Sequence, residues 1–187
     1  MLDLRALPPL AGGSGPAAAW KEWLDLQFRE QLSRFDPVLV SSFVAGLHTD
    51  ASDLDIVCDT RAGGFLEAVR AAYGERPGFE HWTAGTRTMV AFKGQRLLVE
   101  LAGEDLPVER QRAYRHAVAQ RRLTALGGPD FVAAIGAVRR RDGLKTEPAI
   151  ARFLRLDGDP YEAIERLSDA PDHRLRDLLV RALPRIP

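Results

Sequence analysis

A chain of 187 residues is long enough for one domain with a real core, or for a small α/β core carrying a helical extension. Lysine and arginine total 26, as do aspartate and glutamate, so the zero net charge argues against a general surface for duplex nucleic acid or anionic membrane. The single cysteine, Cys58, excludes an intrachain disulfide framework and a multi-cysteine zinc site, and the lack of long apolar runs predicts a soluble, cytoplasmic protein.

Residues 1–16, with Pro8, Pro9, Gly12, Gly13, Gly15 and Pro16, read as a flexible leader whose end, at Ser14, supplies a helix cap. From Ala17 to Phe35 the residues Trp20, Trp23, Leu24, Phe28, Leu32 and Phe35 recur near helical spacing, which predicts one amphipathic helix stopping before Pro37. Val38-Leu39-Val40 begins a short buried strand, followed by Ser41-Ser42, a turn-like stretch from Gly46 to Ala51, and a second strand from Asp53. Phe65 to Tyr73 reads as a helix burying Leu66, Val69 and Ala72. Phe79 to Ala84, Thr86 to Phe92 and Arg96 to Leu101 are β-rich, the last two joined by a turn at Lys93-Gly94-Gln95. The order α-β-β-α-β-β-β predicts a mixed sheet with helices packed on it.

Beyond Pro107 the pattern is helical. Val108 to Leu126 forms a long helix with an apolar stripe of Tyr114, Ala117, Val118 and Ala125, ended by Gly127-Gly128-Pro129. Phe131 to Arg140, Glu147 to Leu154, Pro160 to Leu167 and roughly His173 to Leu183 follow. The seam falls near Leu106, which divides the chain into a leader over 1–16, an α+β core over 17–106 and a helical C-terminal region over 107–187 packed on that core.

The chemistry concentrates in Ser52-Asp53-Leu54-Asp55-Ile56. Side chains alternate along a strand, so Asp53 and Asp55 share one face, with Cα atoms roughly 6.6–7 Å apart. Two carboxylates at that spacing repel unless a cation lies between them, and Mg²⁺ takes one or two carboxylates and completes its shell with water and phosphate oxygens. The plain alternative is a solvated strand edge. Glu100, the only acid in Leu97-Leu98-Val99-Glu100-Leu101, either faces water or joins the pair, and three converging carboxylates suit two-metal nucleotidyl transfer.

This arrangement resembles the nucleotidyltransferase superfamily with the polymerase-beta-like core, whose pattern is a small-residue turn, an acid-hydrophobic-acid strand about ten residues later, and a third acid on a later strand. Ser41-Ser42, Asp53-Leu54-Asp55 and Glu100 match it in order. Residues 37–165 look more closely like an uncharacterised, DUF4269-like family of minimal nucleotidyltransferase-like proteins. That likeness is carried by Ser52 to Ile56, Pro107 to Gln111, Ala113-Tyr114-Arg115-His116, Lys145 to Ala149 and Gly158-Asp159-Pro160-Tyr161. The resemblance implies an α+β fold, a mixed-sheet nucleotidyltransferase core with packed helices and a C-terminal helical extension. It further implies transfer of an NMP from an NTP to an unknown small-molecule or protein acceptor, with Asp53, Asp55 and Glu100 as catalytic and Mg²⁺ (or Mn²⁺) ligands. Ser41 departs from the pattern, because the superfamily usually has Gly there; a Ser either narrows the phosphate cradle or adds a hydroxyl donor.

A triphosphate needs cations besides metal, and Arg115 and Lys145 fall in the matching segments, so they join Ser41 and Ser42 as expected nucleotide contacts. A row of arginines on a helix is otherwise a solvated face, His116 reads as a packing histidine, and Arg139-Arg140-Arg141 suits a helix C-terminus. Trp20, Trp23 and Trp82 are too scattered to form a stacking platform by spacing. The alternative to an enzyme is a catalytically inactive member of the fold that binds a nucleotide or a partner protein, a role that includes one half of a toxin–antitoxin or regulatory pair.

Overall fold

Five strands form one sheet: β1 (Val38–Leu39), β2 (Leu54–Asp59), β3 (Glu80–Ala84), β4 (Arg87–Lys93) and β5 (Leu98–Glu104). The computed structural model describes residues 2–5 and 14–183, so Pro8, Pro9, Gly12 and Gly13 of the expected leader and Pro184 lie outside the described residues. The strand order is β1-β2-β5-β4-β3. The central pair, β2 and β5, is parallel, and the other pairs are antiparallel. The sheet is therefore mixed, as the element order predicts. β5 begins at Leu98 and runs to Glu104, two to three residues beyond its expected place, because its pairing with β2 continues to Asp59.

One sheet face carries Leu54, Ile56 and Cys58 of β2, Val99 and Leu101 of β5, and Val90 and Phe92 of β4, all fully buried. Three helices cover it: α1 (Ser14–Asp25), α2 (Phe28–Gln31) and α3 (Phe65–Tyr73). The single helix expected from Ala17 to Phe35 is instead α1, α2 and a 3₁₀ turn over Ser33–Phe35. Helix α1 starts at Ser14, which is its first residue, and the break falls at Gln27, whose backbone is left-handed (φ 52). The break turns Phe28 inward to stack on Trp23 and meet Tyr73, and Tyr73 stacks in turn on Phe92 of the sheet. Tyr73 also donates its hydroxyl to the Leu26 carbonyl left free at the break, 2.9 Å away.

The chain beyond β5 forms α4 (Arg112–Asp142), α5 (Thr146–Leu154), α6 (Pro160–Leu167) and α7 (Asp172–Ala182). Helix α4 is two helices joined at a kink, as expected from Gly127-Gly128-Pro129: Gly128 adopts φ 60 and ψ −156, which only glycine reaches without strain. The apolar stripe expected on its first half is a correction. His116 to Gln120 are all buried, as are Leu123 and Thr124, whereas Ala125 is exposed. Tyr114, Ala117 and Val118 belong to the sheet-side core, while Ala119 and Leu123 join Phe131, Ile150, Ile164 and Leu179 in a second core among the C-terminal helices. A helix shared by two cores has no single stripe. Among the described residues, no helix is long and apolar enough to cross a membrane.

The turn between β4 and β5 is fixed from α1. Glu22 is fully buried and its carboxylate accepts the backbone N–H groups of Gln95 and Arg96 and the Arg96 guanidinium. Removing it strands buried donors, so Glu22→Ala is expected to cost roughly 2–3 kcal/mol, read as a lower urea midpoint with an unchanged slope.

Candidate active site

The second face of β2 carries Asp53, just before the strand, then Asp55 and Val57. Parallel pairing sets Asp55 directly beside Glu100 and Val57 beside Ala102. The two acids expected to share a face therefore do so, and the third stands on the neighbouring strand on the same side. They form the floor of a cleft of about 540 Å³ between the sheet and the C-terminal helices, whose opposite wall includes His116, Lys145 and Glu147.

The electrostatics of this floor are uncompensated. Burial, then Glu100, Asp53 and Glu147, push the Asp55 carboxyl up to about 7. Burial raises Asp53, and burial followed by Asp53 raises Glu100. Lys145 opposes the rise at Asp55 and Glu100. None of the three carboxylates accepts a side-chain hydrogen bond or ion pair among the described residues. Hard oxygen donors lacking a counter-charge fit a magnesium-class cation. As the side chains stand, no group of three or more His, Cys, Asp or Glu among the described residues is gathered tightly enough to hold a metal ion.

The expected phosphate contacts divide. Lys145, at the start of α5, lines the cleft, forms no ion pair among the described residues and faces the acids. Ser42 lines it too, donating its hydroxyl to Ser52 Oγ at 3.1 Å, while Ser52 accepts the Thr49 N–H at 2.9 Å. Ser41 is buried outside the cleft: its hydroxyl donates to the Asp53 carbonyl at 2.7 Å and accepts the Phe43 N–H at 3.4 Å. The hydroxyl is engaged in fixing the backbone of the first acid, and Ser41 is not among the residues that line the cleft. Arg115 points the other way, bridging Glu165 at 3.2 Å and Asp169 at 2.6 Å, and Arg122 likewise grips Ser168 and Asp172. Both arginines fasten α4 to the last helices.

Several residues take part in the site in ways that the sequence reading did not assign. Arg139, read as a helix-end cation, donates to the Leu47 carbonyl, and Arg121 donates to that of Val44 at 2.8 Å, so α4 pins the 3₁₀ turn Ser42–Ala45 and the loop after it. His116 bridges three helices: Nε2 donates to the Tyr161 carbonyl at 2.9 Å and Nδ1 lies 3.5 Å from Glu147. Gln120 donates to the same Glu147 oxygen at 2.9 Å. Burial pushes Glu147 up, but the hydrogen bonds from His116, its own backbone and Gln120 outweigh it and hold the carboxyl below its usual range. Arg87 and Met89 enter the cleft from β4. Their signal was present only in the hairpin register, which sets Met89 beside Ala102.

A family model described as "Domain of unknown function (DUF4269)" matches residues 22–167. Among curated proteins none matches in sequence. A solved structure described as the polymerase core of TRAMP, a RNA surveillance complex, shares the fold at a TM-score of 0.51 and 13% identity over 84% of this chain. The chain spans 58% of the length of that neighbour. The α+β architecture with a mixed sheet and packed helices is common to the two.

The charge on the floor has a thermodynamic signature. An acid whose folded-state value is raised binds its proton more tightly when folded, so stability falls as pH rises from the unfolded value near 3.8 to about 7 and is flat above it. Without divalent ions, Asp55→Asn is therefore expected to melt higher than the parent at pH 8, with the difference closing towards pH 4. Equal melting temperatures at both pH values would show that Asp55 carries no such penalty.

Proposed function

The chain belongs to the DUF4269 family, a domain of unknown function, and for it we propose divalent-metal-dependent nucleotidyl transfer from an NTP to a hydroxyl-bearing acceptor, small molecule or protein. The observation that carries the reading is the unpartnered Asp53–Asp55–Glu100 floor facing Lys145 across a cleft, in a fold shared with a polymerase core. Asp53 and Asp55 would hold Mg²⁺ or Mn²⁺, which when bound offsets charge on the triphosphate. Lys145 supplies a compact cation for the phosphates from the opposite wall, and Ser42 a hydroxyl donor at the rim. Glu100 takes the proton of the acceptor hydroxyl as its oxygen attacks the α-phosphorus, the bond to the bridging oxygen of the β-phosphate breaks, and pyrophosphate leaves. The raised affinity of Glu100 for a proton suits that role.

A second reading, a nucleotide-binding member without catalysis, is favoured by one observation: the three carboxylates are not gathered as a ligand group. Thermal-shift measurements with each of the four NTPs, with and without Mg²⁺ or Mn²⁺, separate the two. Stabilisation by an NTP that requires the metal, with label transferred from an α-labelled NTP, is the expected result. Metal-independent stabilisation supports the binder, and no stabilisation by any NTP removes both. Asp55→Asn is expected to abolish the metal-dependent shift, and Lys145→Ala to weaken triphosphate binding roughly tenfold or more.

A further inference from the structure

The sheet face that bears the acids continues past Glu100. In an antiparallel pair, directly opposed residues point to the same side. Glu100 stands opposite Ala91, and Ala91 opposite Glu80; one row along, Ala102 stands opposite Met89, and Met89 opposite Trp82. Glu100, Ala102 and Met89 line the cleft, so Trp82 presents its indole on the cleft side of the edge strand β3. It is 40% exposed and takes part in no aromatic or cation–π contact among the described residues. The alternate residue His81 points to the other side, where its Nδ1 lies 3.5 Å from Arg70 of α3.

A lone exposed indole is ordinary on a protein surface. Trp82 differs in what lies between it and the acids. Ala91 and Ala102 carry only methyl groups, and Met89, which stands between Ala102 and Trp82, is a thioether suited to the edge of an aromatic ring; Glu80 of β3 and Arg87 of β4 flank this row on the same face. Two strand spacings, roughly 10 Å, separate β5 from β3.

We propose that Trp82, with Met89 beside it, is a stacking shelf for a planar heteroaromatic ring of the nucleobase class, carried by a molecule whose reacting end lies at the acidic floor. The identity of the reacting end rests on the nucleotidyl-transfer reading; the shelf does not. The ring belongs either to the NTP or to a nucleoside-like acceptor, and the two sources are separable.

Calorimetric titration of the full chain, its Trp82→Phe variant and its Trp82→Ala variant with the four Mg²⁺–NTPs, ribose triphosphate lacking a base, and the four nucleosides tests this, with circular dichroism and melting confirming that each variant folds. Trp82→Ala is expected to weaken one nucleobase-bearing ligand by roughly tenfold to a hundredfold, while Trp82→Phe stays within a few-fold and base-free triphosphate is unmoved. A loss confined to an NTP assigns the ring to the triphosphate, and a loss confined to a nucleoside assigns it to the acceptor. Undiminished binding of every ligand by Trp82→Ala, or no binding of any of them by the parent chain, overturns the shelf. Trp82-dependent binding without label transfer leaves the shelf standing and removes the catalytic reading, whereas transfer that ignores Trp82 does the reverse.

Discussion

The parallel pairing of β2 with β5 is the constraint on which the rest of the structure turns. Its register puts Asp55 beside Glu100 on one face and, by the same alternation, Ile56 beside Leu101 on the other. The second consequence makes the first tolerable. The apolar face is sealed by Trp23, Phe28, Phe65 and Tyr73, so slipping the register by one residue would bury acids under three helices and expose the core. The charge concentration on the cleft side is thus locked by hydrophobic burial on the opposite side.

Helix α4 then converts a sheet face into a cleft. It joins the sheet-side core through Tyr114, Ala117 and Val118, is tied to the sheet by Gln111 donating to the Cys58 and Leu106 carbonyls, and carries His116 and Gln120 to the far wall. The wall and the floor hold opposite electrostatic characters. On the wall, Glu147 is satisfied by hydrogen bonds and kept ionised; on the floor, Asp55 has none and is held towards its neutral form. Two carboxylates of one cleft are thus driven in opposite directions by what surrounds them.

Legibility from sequence followed the range of the interactions concerned. The Asp53–Asp55 pair needed only strand alternation, and the split of the long helix needed only Gly127-Gly128-Pro129. Glu100 joined the pair through a parallel crossover that no local pattern encodes, and the family resemblance supplied it. Arg115 shows the limit of helix-face arithmetic: its position on the helix was legible, but which neighbour that face would meet depended on α6 folding back. Ser41 stood at a motif position in place of the usual glycine, and its hydroxyl goes to the carbonyl of Asp53. The break at Gln27 carried no Gly or Pro, because side-chain packing of Phe28 dictates it. Trp82 was invisible as a platform because its partners lie across a hairpin and not at helical spacing.

Arg121 and Arg139 have a reach beyond the loop they hold. They grasp the Val44 and Leu47 carbonyls, and Ala45 and Leu47 are themselves members of the C-terminal core. The short loop that leads into Asp53 is therefore packed as part of the helical half, although it is covalently part of the sheet half. These contacts cross the seam expected near Leu106. A fragment ending there would lose the helical partners that hold Val44, Ala45 and Leu47 in place.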